Sequence, residues 1–298
     1  MAVLENGVWD TDKSASELPH VDRLERNFGP ETGRYHLYVS RACPFAHRPW
    51  LVISVLGLDK AISVSSVSAR RYSKGWEFDA DNRDIIGDSK LLSDIYLQSK
   101  PDYSGAVTVP VLFDRHERKI VSTDSASLSL KLATEWLPLA EKQAELVPAL
   151  LCQDIDQLNR WLHASINRKV YQVGFAKHQD EYERTARELF SALDEMEKRL
   201  TVQPFLFGEA MTISDLFLLP SLVRFEAVYA IHFRANTKSL AQLPNLYAYM
   251  LRMLAVPGVR ETIDMEHAKL HYYFSHRHIN PTGIVPTGPL LTWLITPL

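Results

Sequence analysis

The chain has 298 residues, 46% of them hydrophobic, 23% charged and 10% aromatic, which excludes a largely disordered protein. A formal net charge of −3 excludes a broad basic field for nucleic acid, and the length suits two domains with sizeable cores. Cys43 and Cys152 are too few for a disulfide framework, MAVLENGVWD has no signal-peptide character, and no apolar run reaches a membrane span. A cytoplasmic protein that contacts neither membrane nor nucleic acid is expected.

Residues 1–33 carry charge and glycine without periodicity and are expected to form an irregular surface arm. Tyr35–Val39 alternates like a strand. From Pro44, apolar residues at helical spacing run to Gly57, where a helix would stop, with Pro49 tolerated in its first turns. Ala61–Val67 alternates as a second strand, and 68–88 is polar and irregular. Leu91–Gln98 reads as a helix, Val107–Phe113 with Lys119–Ser122 as a hairpin pair, and Asp124–Thr134 as a helix. Strand, helix, strand, helix, strand, strand, helix is the order of a thioredoxin-like domain, here 34–136, with a parallel pair at its start.

After a linker, 146–275 reads as all-helical, with helices near Val147–Tyr171, Glu181–Leu200, Ile213–Val228, Leu243–Leu254 and Val259–Tyr272. Thr212 and Asp215 form a capping-box pattern at the third of these. Residues 276–298 remain as a tail. The fold class is α/β plus all-α.

Cys43-Pro44-Phe45-Ala46 follows a strand and opens a helix. The unpaired N–H groups and positive dipole end there favour an anion, so the Cys43 thiol is drawn toward thiolate. Arg41, His47 and Arg48 add positive charge nearby in the chain. Ala46 stands where a second cysteine would make an internal dithiol, so a thiol from solution must resolve any mixed disulfide on Cys43. Cys152 lies among apolar residues and is read as packing. Val109-Pro110 opens a strand, where a cis proline would leave the Val109 backbone open to a peptide-like thiol. Asp124-Ser125 at a helix start suits the carboxylate and ammonium of a γ-glutamyl group, or else simply caps its helix. His267, His271, His276 and His278 form a loose cluster without cysteine or many carboxylates, so no metal is expected.

Long blocks in order (ENGVW, YHLYVSRACPFAHRPWLV, GWEFD, YSGAVTVPVLFD, IVSTDSA, VYQVGFA, LVRFEAVYAIHF and FSHRHINPTGI) make the chain resemble the glutathionyl-hydroquinone reductases, the Xi class of glutathione transferases. The resemblance implies a helical transferase domain after the thioredoxin-like one, and a homodimer. It also implies an enzyme that removes glutathione from glutathionyl-hydroquinones, with a second glutathione, or another small thiol, as reductant. By the same resemblance Cys43 is the nucleophile. Phe45, Trp76, Val109, Asp124 and Ser125 hold glutathione, and Tyr171, Tyr229 and Tyr272 line the hydroquinone pocket. Alternatives are a general thioltransferase or dehydroascorbate reductase, and a non-catalytic ligand-binding protein.

Three positions depart from the family pattern. Phe45 replaces a tryptophan, Asp124 a glutamate, and Ala106 an arginine that helps to hold glutathione. Weaker glutathione binding is expected unless Arg70, Arg71 or Lys74, in the polar loop near Trp76, supplies the lost cation.

Overall fold

The computed structural model describes residues 3–295, the last by its backbone alone, so the ends of the expected arm and tail lie outside the described residues. The chain divides into two compact units, 1–142 and 143–298.

The first 33 residues depart from the irregular arm expected of them. Strands β1 (Val3–Glu5) and β2 (Val8–Asp10) form a hairpin. Its turn is Asn6-Gly7, with φ of 49° and 79°, the mirror-image geometry that suits the strand twist of a tight hairpin. Val3 and Leu4 are fully buried, and Leu4 exchanges hydrogen bonds of 2.9 and 2.8 Å with Gly105. Further on, Phe28 packs 5.8 Å from Tyr35 and 6.5 Å from the buried Trp136, ring centre to ring centre. The segment is part of the core.

β3 (Tyr35–Val39) is buried along its whole length and leads into α1 (Pro44–Leu56). Gly57 ends α1 in the left-handed conformation, at φ 65°. β4 (Ile62–Ser66) lies parallel to β3, as a strand–helix–strand crossover requires. The region expected to be irregular holds a small antiparallel hairpin, β5 (Arg71–Tyr72) and β6 (Gly75–Trp76), its turn closed by Gly75 at φ 84°. Its paired segments are too short to show alternation, so only Gly75 signalled them.

α2 (Leu92–Ser99) precedes β7 (Val111–Asp114), β8 (Lys119–Ser122) and α3 (Ser125–Glu135), which packs on α1. β7 starts later than the expected Val107, because the cis Val109–Pro110 bond turns the chain and Pro110 has no N–H for the ladder. Tyr96 holds this approach, its hydroxyl donating to the Thr108 carbonyl at 2.8 Å and accepting from the Thr108 N–H at 3.2 Å. The four-stranded mixed sheet runs β4-β3-β7-β8, the thioredoxin-like arrangement. The ends of β3, β4 and β8 and the start of β7 therefore share one edge.

The second unit is helical: α4 (Cys152–Leu162), α5 (Lys169–Phe175), α6 (Gln179–Arg199), α7 (Ile213–Val223), α8 (Pro244–Leu254), α9 (Met265–Ser275) and α10 (Thr292–Ile295). The long helix expected over 147–171 is interrupted by a π-turn at His163–Asn167, and the one over 213–228 changes to a π-turn at Phe225–Tyr229. Asn167 braces the first, its side-chain amide donating to the Phe217 carbonyl at 3.1 Å and to the Ser221 hydroxyl at 2.8 Å. The helix expected from Val259 begins only at Met265, because Asp264 caps it by accepting the His267 N–H at 2.9 Å. The expected capping box is present: buried Asp215 accepts from the Thr212 N–H at 2.7 Å, and also from the Leu206 N–H and the Tyr249 hydroxyl. Among the described residues no helix is long and apolar enough to cross a membrane.

Candidate thiol site and tyrosine cluster

Cys43 is the N-cap of α1 and half-buried. Its backbone is extended, its carbonyl accepts the His47 N–H at 3.1 Å, and its sulfur accepts the Ala46 N–H at 3.4 Å. A thiolate is thus held where the helix offers unpaired donors and the positive end of its dipole. The sulfur is also 3.9 Å from the carbonyl oxygen of Val109, beside the cis proline. Strand β3 carries the cysteine to the sheet edge and β7 brings Val109 to meet it.

The aromatic side chains near this edge carry cations. The Arg48 guanidinium lies 5.1 Å from the Phe45 ring centre, and that of Arg41 lies 5.3 Å from Trp50. Arg48 and His47 are buried, so they form part of the α1 packing. Trp76, also buried, pairs with Arg71 across the β5–β6 hairpin, and the Arg71 guanidinium stands 5.5 Å from its ring centre. Desolvation holds Arg71 below its ordinary pKa, while negative charge at Cys43 acts in the opposite direction. Ala106 is half-buried, and its neighbour Val107 shares with Arg71, Trp9 and Tyr72 the lining of a cavity of about 240 Å³.

Asp124 caps α3, one carboxylate oxygen accepting the Ser127 N–H at 2.7 Å. It is exposed and Ser125 is half-buried. Glu25, from the N-terminal segment, fixes the preceding loop by accepting from the Thr123 N–H at 2.6 Å, the Thr123 hydroxyl at 3.1 Å and the Asp124 N–H at 3.2 Å. Nothing in the chain near Glu25 announces that role.

In the second unit the three tyrosines come together. The Tyr272 hydroxyl lies 2.6 Å from that of Tyr171 and 3.4 Å from that of Tyr229. Tyr272 and Tyr229 are buried and Tyr171 is half-buried. Burial, with the two neighbouring phenols, raises the Tyr272 pKa well above the ordinary value, and Arg224 acts against it. The cluster thus holds its protons and can donate them in hydrogen bonds. Tyr229 stacks on Phe233 at 5.6 Å and an interplanar angle of 8°, a partner the sequence reading missed.

Two readings need correction or completion. Cys152 is exposed, not packed: it is the first residue of α4, and its sulfur reaches only the Pro148 carbonyl of the preceding turn, at 3.6 Å. The histidines belong to aromatic packing, with His276 stacked on Phe233 at 14° and tilted against His278. Among the described residues no group of three or more His, Cys, Asp or Glu gathers as for a metal ion.

Comparison with known proteins agrees with this architecture. Residues 42–135 match the glutathione S-transferase N-terminal domain family, and residues 179–252 match the C-terminal domain family. The chain is 37% identical to glutathionyl-hydroquinone reductase PcpF of Sphingobium chlorophenolicum, over 97% of this chain and 96% of that one. Identity to glutathionyl-hydroquinone reductase YqjG of Escherichia coli is 38%, over 97% and 95% of the two chains. Among solved structures, the Xi-class glutathione transferase of Natrialba magadii is similar with a TM-score of 0.94 at 35% identity, covering 98% of this chain and 94% of that one. The glutathione-bound YqjG structure is similar with a TM-score of 0.90 at 35% identity, covering 98% and 97%.

Proposed function

The chain belongs to the Xi-class glutathione transferases, the family of the glutathionyl-hydroquinone reductases, and we propose that it removes glutathione from glutathionyl-hydroquinones through a mixed disulfide on Cys43. One observation carries the reading: the Cys43 sulfur sits at the N-terminus of α1, against the Val109 carbonyl. A thiolate is favoured there, and the adjoining backbone can pair with a peptide-like thiol.

In the first step the Cys43 thiolate attacks the thioether sulfur. The sulfur–sulfur bond forms, the sulfur–aryl bond breaks, and the aryl carbon takes up a proton. The products are the hydroquinone and glutathione disulfide-bonded to Cys43. In the second step a glutathione thiolate attacks the glutathione sulfur of that bond. Glutathione disulfide leaves, Cys43 returns to thiolate, and the proton of the incoming thiol balances the one consumed. Phe45, Trp76, Val109, Asp124 and Ser125 are assigned to glutathione. One Asp124 oxygen caps α3, which leaves the other for an ammonium. The hydroxyls of Tyr171, Tyr229 and Tyr272 are assigned to the hydroquinone oxygens. There they would favour the keto tautomer, whose carbon–sulfur bond is weaker than an aryl one. No metal enters the reaction. A homodimer in a reducing cytoplasm completes the reading.

The test is turnover on a glutathionyl-hydroquinone compared with a simple glutathione mixed disulfide. Preference for the hydroquinone supports the proposal. Equal or better turnover of the simple disulfide makes the protein a general thioltransferase, and no turnover of either makes it a ligand-binding protein.

A further inference from the structure

Four chemical groups line one edge of the sheet in strand order. β4 leads to the Arg71 hairpin, β3 to Cys43, β7 is preceded by Val109, and β8 is followed by Asp124. The registers Val39↔Ser66, Tyr38↔Val111 and Leu112↔Ser122 put all four connections at the same end. With strands about 4.8 Å apart, the row from β8 to β4 spans about 14 Å. Three residues of extended chain reach about 10–11 Å, and a γ-glutamyl linkage lengthens them further.

A tripeptide of that kind has two carboxylates. Its amino-acid end meets Asp124, Ser125 and the N-terminus of α3, and its thiol meets Cys43 and Val109. The second carboxylate then falls on the β4 side, where the arginine expected at position 106 is Ala106. Arg71 stands on that side over Trp76, and lines the same cavity as Val107, the neighbour of Ala106. Its guanidinium is planar, permanently charged and shaped to meet a carboxylate in two parallel hydrogen bonds.

We propose that Arg71 is the specificity residue for the thiol, binding the carboxylate at its far end in place of the arginine that this chain lacks at 106. The proposal rests on the reading of the protein as a thiol-dependent reductase of Cys43.

The experiment compares glutathione with its glycyl monoethyl ester, which lacks only that charge, as reductants for the wild type, Arg71→Gln and Arg71→Lys. The wild type should show a KM about tenfold higher for the ester, the scale of one charge-assisted contact. Arg71→Gln should raise the glutathione KM about tenfold, leave the ester's KM within about twofold, and change kcat little. Arg71→Lys should restore part of the discrimination, and Ala106→Arg added to Arg71→Gln should restore it as well. If the wild type treats both thiols alike, or Arg71→Gln weakens both equally, Arg71 only packs on Trp76 and the proposal falls. Tryptophan-fluorescence titration with S-methylglutathione and its ester reads the same discrimination without turnover. If no turnover occurs at all, the reductase reading fails, and Arg71 is judged on that titration alone.

Discussion

The hydroxyls of Tyr171 and Tyr272 approach to 2.6 Å, and Tyr229 reaches the same Tyr272 oxygen at 3.4 Å, so Tyr272 is the hub of the three. Tyr272→Phe should therefore slow the hydroquinone reaction more than Tyr171→Phe or Tyr229→Phe. Each lost neutral hydrogen bond is worth about 0.5–1.5 kcal/mol, or roughly two- to tenfold in rate. Reduction of a small mixed disulfide should change less in all three variants. Equal losses on both substrates would remove the tyrosines from the aromatic site.

Cys43→Ser should abolish turnover, since a serine hydroxyl is hardly ionised near neutral pH and forms no disulfide. Cys152→Ser should leave it nearly unchanged, although Cys152 is the more exposed thiol. Mass spectrometry of the wild type under oxidised glutathione should find the adduct on Cys43. An adduct confined to Cys152 contradicts the mechanism.

Gly174 lies in α5, where an added methyl would overlap the ring of Phe233. Phe233 in turn stacks on Tyr229. Gly174→Ala should destabilise the protein by about 1–3 kcal/mol, the usual cost of overpacking. It should also raise the KM for the aromatic substrate more than that for glutathione. A normal urea midpoint with normal kinetics would show that Phe233 moves aside without cost.

Acid should weaken the fold through buried histidines. His36 lies between the hydroxyls of Ser63 and Ser65, at 2.7 Å from each, and burial lowers its pKa from 6.5 to about 4. Asp84 and Arg115 act on it in opposite directions. Burial lowers His232 in the same way, also to about 4. The unfolded chain binds more protons between the two values. Each group's contribution is therefore complete above about pH 6.5 and is lost as pH falls toward about 4, roughly 3 kcal/mol at His36. Urea unfolding at about pH 7.5 and about pH 4.5 measures the loss, and unchanged stability would contradict it.

Much of the thiol half is readable before any coordinates. A cysteine between a strand and a helix, a Val-Pro at a strand start and a Thr-x-x-Asp before an apolar run are local signals, and each sits where its own chemistry requires. Asn6-Gly7 was equally local and was overlooked because the flanking strands are only three residues each. The tyrosine cluster is different in kind. Tyr171, Tyr229 and Tyr272 are far apart in the chain, and their meeting depends on helix rotation, which periodicity does not set to within one residue. Cys152 misled because apolar neighbours in sequence face a different side of a helix.

The two π-turns bear on how this protein tolerates changes of length. Each accommodates one more residue per turn than an α-helix does, and successive residues of a helix are rotated by about 100°. One turn precedes the helix of Tyr171 and the other ends at Tyr229. Deleting a single residue from either would let the segment relax into an ordinary helix, yet swing everything beyond it around the axis by that angle. Point substitutions at the surface of these helices should be absorbed. Single-residue deletions within 163–167 or 225–229 should instead unseat a tyrosine while keeping the helix content, so that circular dichroism stays normal as hydroquinone turnover disappears.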